Sequence, residues 1–213
     1  MTMSRRAALV PLLALIVAGC ARDGQLAANG VYVTRTGCPQ VAIPAATGDI
    51  TLFDPATSRD ARAIDVVATI TNIRATCSED AANIVSTATF DVVASRRDAG
   101  QARQVVLPYF TVAMQGGTNI VAKKVGAVAL NFPAGSLRAQ ANSQTTVRVS
   151  RSAVALPADV QRELTRERKP GDADAAVDPL SDPKIRSAVA NATFEQLIGF
   201  QLSQEQLRYN ATR

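Results

Sequence analysis

From residue 63 to residue 150, apolar and polar side chains alternate at period two, the pattern of strands that bury one face. In the first such segment Ile64, Val66, Ala68 and Ile70 share a side, Asp65, Thr69 and Thr71 take the other, and Cys77 closes it. Over 84–96 the pattern repeats, with Ala88, Phe90, Val92 and Ala94 opposed to Thr87, Thr89, Asp91 and Ser95. A charged turn at 95–100 leads into a third strand over 105–114, with Val106, Phe110, Val112 and Met114 in phase. Pro108 interrupts it and, lacking an N–H for the ladder, predicts an edge strand or a bulge. Gln115-Gly116-Gly117-Thr118 is a hairpin signal. A fourth strand returns over 120–132, with Gly126 marking a bend, and after Pro133-Ala134-Gly135 another runs over 145–150.

Weaker alternation at 31–34 and at Asp49–Phe53 adds two short strands, with a turn at Thr36-Gly37-Cys38-Pro39 between them. Beyond Pro157 the pattern becomes helical. Residues 158–169 are strong helix formers stopped by Pro170-Gly171, but only Val160 and Leu164 supply an apolar stripe, so this helix should lie on the surface. Asp182 before Pro183 has the form of an N-cap with proline at N1, opening a helix to about residue 192. In 194–202 two periods compete. Phe194, Ile198, Phe200 and Leu202 share a face at period two, whereas a helix would hold Gly199 in its interior at about 1 kcal/mol; a strand is the better reading. Residues 203–206 fit a capping box that starts a last helical turn through Leu207 and Tyr209. The predicted fold is mainly β: an Ig/fibronectin-like antiparallel β-sandwich of about seven to eight strands. It forms a single domain over 31–210, with a helix-loop-helix insertion at about 154–191 before the last strand.

Ahead of this domain, Arg5 and Arg6 precede an apolar run that ends in Val17-Ala18-Gly19-Cys20. A charged head, a short apolar body and small residues at the exit make a secretory signal. Twelve residues of helix would rise only about 18 Å, short of the roughly 30 Å hydrocarbon core. Val17-Ala18-Gly19-Cys20 resembles a bacterial lipobox, whose cysteine is acylated and becomes the first residue of the mature chain; the alternative is an ordinary signal peptide with a chance cysteine. On the lipobox reading residues 1–19 are the signal peptide, Cys20 is the lipidation site and 20–30 is a flexible tether. By analogy with lipoprotein sorting, Ala21 in place of aspartate points to the inner leaflet of the outer membrane, facing the periplasm.

Composition narrows the chemistry. The chain has no histidine, which excludes Ser-His-Asp and Cys-His catalysis, the zincin motifs and the 2-His-1-carboxylate iron site. No Ser-x-x-Lys motif or phosphate-cradling glycine loop stands in the mature chain. A non-enzymatic protein without cofactor or metal is expected. The net charge of +5 includes Arg5 and Arg6, so the mature chain is only mildly basic, and with little aromatic interleaving nucleic acid is not an expected partner. With Cys20 lipidated, Cys38 and Cys77 remain as a pair in an oxidising compartment. A disulfide between them would be worth about 4 kcal/mol by loop entropy; two free thiols are the alternative.

Leu107-Pro108-Tyr109-Phe110, the two cysteines, the run 194–202 and Leu207-Arg208-Tyr209-Asn210 resemble a group of uncharacterised alphaproteobacterial lipoproteins. The resemblance implies an envelope location and a β-sandwich, with 154–191 as a variable insertion. It implies no reaction or ligand.

Other features have bland readings beside sharper ones. Tyr109, Phe110, Phe194 and Phe200 line a ligand groove or, more often at strand spacing, a core. Lys123 and Lys124 meet lipid headgroups or block strand pairing at an edge. Asp172, Asp174, Asp178 and Asp182 invite calcium but lack the EF-hand spacing, and a solvated acidic loop is the better reading. Glu163 and Glu167 stand among arginines on a solvated helix face. The expected role is therefore a structural or protein-interaction one, with the membrane (through Cys20) and an envelope protein as partners. A glycan- or lipid-binding module is the alternative, and a carboxylate-dependent hydrolase comes third. An exposed apolar patch or an unprotected strand edge would favour the first; a concave apolar pocket with a few convergent polar groups would favour the second, and two carboxylates about 5–10 Å apart in a cleft the third.

Overall fold

The structure, a computed structural model, describes residues 37–212 apart from Pro170, together with the backbone pairing of Leu26–Ala27 (β1) with Gly30–Val31 (β2). The signal peptide and Cys20 lie outside the described residues, as do most of the tether and of the strand expected at 31–34. The chain divides into two compact units, Met1–Arg35 and Thr36–Arg213. All other elements belong to the second. Its strands are β3 (Gln40–Ala42), β4 (Asp49–Phe53), β5 (Ile64–Glu79), β6 (Asn83–Arg96), β7 (Arg103–Gln115), β8 (Asn119–Phe132), β9 (Arg138–Ser150) and β10 (Phe194–Phe200). Helices α1 (Arg151–Val154), α2 (Ala158–Thr165) and α3 (Pro183–Asn191) lie between β9 and β10, and α4 (Gln204–Thr212) follows.

These strands make a β-sandwich of two four-stranded sheets, ordered β3-β10-β7-β8 and β4-β5-β6-β9. The hairpin β7–β8 belongs to one sheet while its chain neighbours β6 and β9 pair in the other, so the chain crosses between sheets in Greek-key fashion. All pairs are antiparallel except β3 with β10, which is parallel. The interior follows the alternation on β5 and β6: Val66, Ala68 and Ile70 with Ala88, Phe90, Val92 and Ala94 are buried. Leu107 and Tyr109 on β7, Val128, Leu130 and Phe132 on β8, and Ile198 and Phe200 on β10 complete the core.

Four readings need correction. The buried face of β7 is Leu107, Tyr109, Thr111 and Ala113, so Val106, Phe110 and Met114 point outward. Pro108 lies neither on an edge strand nor at a bulge; β7 is central. Its carbonyl accepts from Gln201 N–H at 2.9 Å, so its nitrogen also faces the β10 side, beyond Phe200, where that strand has ended and no ladder N–H is required. Gly126 marks no bend but room: a Cβ there would stand 2.6 Å from Cζ of Tyr109, whose ring lies over it from directly across the ladder. The helix starting at 158 ends at Thr165, because beyond Leu164 it has no apolar side chain to bury. β3 and the first half of β9 gave no sequence signal, being short in one case and built of small and polar residues in the other.

The local punctuation matches the sequence reading. Gly116 and Gly117 both have positive φ, as a type I′ hairpin needs. Asp182 caps α3 by accepting from Lys184 N–H, and Ser203 and Gln206 exchange capping-box bonds ahead of α4. That helix runs on to Thr212, several residues beyond the single turn expected.

Polar groups pin both ends of the core. Arg96 is buried with no carboxylate partner among the described residues; its guanidinium donates to the carbonyls of Ser136, Gln101, Gly100 and Pro133 and lies 5.3 Å from the centre of the Phe132 ring. It ties the β6–β7 and β8–β9 turns together. Toward the opposite end, buried Ser86 donates to Gln196 Oε1 at 2.7 Å, bridging the sheets.

Gly126→Val should overpack the core under Tyr109, lowering the stability in urea by about 1–3 kcal/mol. Gly100→Ala, where an added Cβ meets nothing within 4 Å, should leave it within about 0.5 kcal/mol.

Candidate functional site

The two outer faces of the sandwich differ in kind. On the β4-β5-β6-β9 sheet the outward positions are mostly polar, among them Thr87, Thr89, Asp91, Asn142 and Arg148, with Val67, Val85 and Val93 interspersed. Asn72 and Asn142 both donate to the Asp91 carboxylate, which holds it below the usual carboxylate range. A face of this kind is built for water.

On the β3-β10-β7-β8 sheet the cross-strand pairs place Val106, Pro108, Phe110, Val112 and Met114 of β7 beside Ile120, Val125, Ala127 and Ala129 of β8 and Leu197 of β10. Directly opposed residues share a face, so the outer side of this sheet carries an apolar stripe as well, with Glu195 beside Met114 and Lys123 beside Val112 as its charged members. Phe110 lies over Gly199, where a Cβ would meet its Cζ at 2.9 Å, and Lys123 Nζ is 5.6 Å from the Phe110 ring centre. Val112 is buried between Leu197 and Lys123 in the ladder. The aliphatic residues toward β8 are open: Val106 is 56% exposed, Ile120 59%, Val121 47% and Val125 54%.

The edges of the sandwich are treated unequally. β4 is flanked by α4, with Phe53 edge-on to Tyr209 at 5.1 Å and Asn210 donating to the carbonyls of Ala46 and Asp49. β3 leads from Cys38, disulfide-bonded to Cys77 on β5 with the Cα atoms 6.1 Å apart. That bond ties the β3 edge to the far end of β5, across the two sheets. β8 and β9 each end their sheet with no strand on the outer side among the described residues; of the two, β8 has a segment, Asn119–Val125, exposed on both faces.

The insertion offers less. Among the described residues, a shallow cleft of about 380 Å³ lies between its helices and the end of β7, lined by Gln115, Ala153, Ala155, Pro157, Ala188, Asn191 and Ala192. None of these ionises, so the cleft offers no acid–base pair. The four aspartates do not converge on a common point. Asp172 accepts from Lys169 N–H, Asp178 and Asp182 cap helical turns, and Asp174 pairs with Arg166 and Arg168, which also hold Glu163. Lys184 Nζ lies 2.7 Å from Asp159, tying α3 to α2. Tyr109, Phe194 and Phe200 are core, and Phe110 alone of the four aromatic candidates faces outward. No family model, curated protein or solved structure matches this chain.

The ion pairs give the insertion a pH dependence. Bonds from Arg166 hold Glu163 and Asp174 below the carboxylate range, and the Lys184 bond does the same for Asp159. Carboxylates with depressed folded pKa values stabilise above their unfolded values and lose that contribution as pH falls through the folded ones. NMR amide signals of 158–191 should therefore hold from about pH 5 upward and shift or broaden below about pH 4, while those of the β5 and β6 core stay in place.

Proposed function

We propose that this chain is a lipid-anchored, periplasm-facing envelope protein with a non-catalytic, protein-interaction role. The interaction role rests on one observation, the apolar outer face and unpartnered edge of the β3-β10-β7-β8 sheet, set against the polar outer face of the other sheet. Aliphatic side chains left in water on one side of a sandwich are a standing hydrophobic free energy that a partner can recover, at about 25 cal/mol per Å² covered. Anchorage rests on the lipobox-like run ending in Cys20.

Two measurements test the two halves. Cys20→Ser should abolish incorporation of labelled palmitate and move the protein from the membrane to the soluble fraction; undiminished labelling would overturn the anchor. A photo-crosslinking residue at Val106 or Val125 should give one discrete adduct in intact cells, whereas the same residue at Thr89 on the polar face should give none. Equal adducts from both faces would overturn the interaction surface.

A further inference from the structure

The β8 edge carries information about what pairs with it. Its sequence, NIVAKKVGAVALNF, has no acidic residue, and its exposed half carries Lys123 and Lys124 side by side. Because successive strand residues point to opposite faces, the two ammonium groups flank the edge, one on each side of the sheet. Lys123 pairs with Val112 on the outer face and Lys124 with buried Thr111 on the inner one. Ile120 and Val125 lie on the outer face with Lys123, while Val121 is the extra residue of a bulge opposite Ala113 and Met114. The edge thus presents unpaired backbone groups, aliphatic side chains and two positive charges at fixed places.

These charges choose among occupants. A second copy pairing its own β8 with this segment would bring two more lysines to the same seam. A basic strand is repelled likewise, and a purely apolar strand would desolvate the ammonium groups without pairing them. A strand with two adjacent acidic residues places one carboxylate on each face and satisfies both lysines while its backbone completes the ladder.

We propose that the β8 edge at Asn119–Val125 receives an extended segment of a partner protein, added as a fifth strand of the β3-β10-β7-β8 sheet. The segment carries adjacent acidic residues opposite Lys123 and Lys124 and aliphatic residues against Ile120 and Val125. This rests on the interaction role proposed above and names the chemistry of the partner. Main-chain hydrogen bonds supply the affinity, and the charge pairs set register and specificity.

The probe is a synthetic peptide with two adjacent glutamates flanked on each side by valine and threonine, titrated into the full chain labelled with ¹⁵N. Shifts and slowed amide exchange should concentrate in Asn119–Val125. The double variant Lys123→Glu/Lys124→Glu, both sites being exposed, should retain the thermal midpoint and bind at least tenfold more weakly. A peptide with lysines in place of the glutamates should restore binding to that variant. Shifts centred elsewhere, equal binding of a threonine-only peptide, failure of the charge swap, or dimerisation through β8 would each overturn the proposal. These outcomes are independent of Cys20. If the Val125 adduct forms while the peptide fails, the interaction surface stands and this partner chemistry falls.

Discussion

Tyr109 and Phe110 are neighbours on one strand, and neighbours on a strand cannot share a face. One ring must enter the sandwich and the other must leave it. Each faces a glycine directly across the ladder, Gly126 under Tyr109 on β8 and Gly199 on β10, where Thr47 packs most closely and the Phe110 ring beside it. Removing either glycine's open space would force the adjacent strand or ring to move. The central strand β7 is thereby fixed in phase from both sides, and much of the character of its sheet follows from that phase.

Tyr109 is the ring that goes inside because the interior there can satisfy it. Its hydroxyl lies 3.3 Å from Ser143 Oγ and 3.4 Å from the Gln144 carbonyl, and its ring meets Phe90 edge-on at 5.2 Å. Phe110, with no polar handle, would fill the same space but leave those groups without the hydroxyl. Once Tyr109 is inside, Val106, Phe110, Val112 and Met114 are outside together. The apolar outer face is thus a geometric consequence of a strand that is apolar at both phases. Interior polar contacts, Arg96 to the turn carbonyls at one end and Ser86 with Gln196 toward the other, tie the two sheets together around it.

The fold converts that phase into a surface with direction. On one side α4 packs on β4, and the Cys38–Cys77 bond ties the start of β3 to β5. On the other side β8 extends beyond the core with both faces in water. The acidic residues of the insertion are engaged by its own arginines, its lysine and its helix caps, whereas Lys123 and Lys124 stand on the exposed segment of β8 among Ile120, Val121 and Val125. Exposed aliphatic side chains and an open strand edge thereby meet at β8.

Local rules read from the chain set much of this. Period-two alternation gave β5, β6, β8 and β10, capping residues gave the starts of α3 and α4, and Gly116-Gly117 gave the hairpin. Each is decided by neighbours within a few residues, which is why each is visible in sequence. The phase of β7 is not, because both of its faces are apolar and periodicity is then silent; only the glycines on β8 and β10 and the polar partners on β9 decide it. The same holds for Pro108, tolerated because β10 stops beside it, and for β3 and the first half of β9, which exist through their partners. Arg96 reads as a turn residue until distant loops supply its carbonyl cage. The sequence by itself determined most of the strand and helix segments, those whose period or caps are set by near neighbours. Tertiary structure decided which face and which edge remain in water, because burial is a property of what packs against a strand and not of the strand alone.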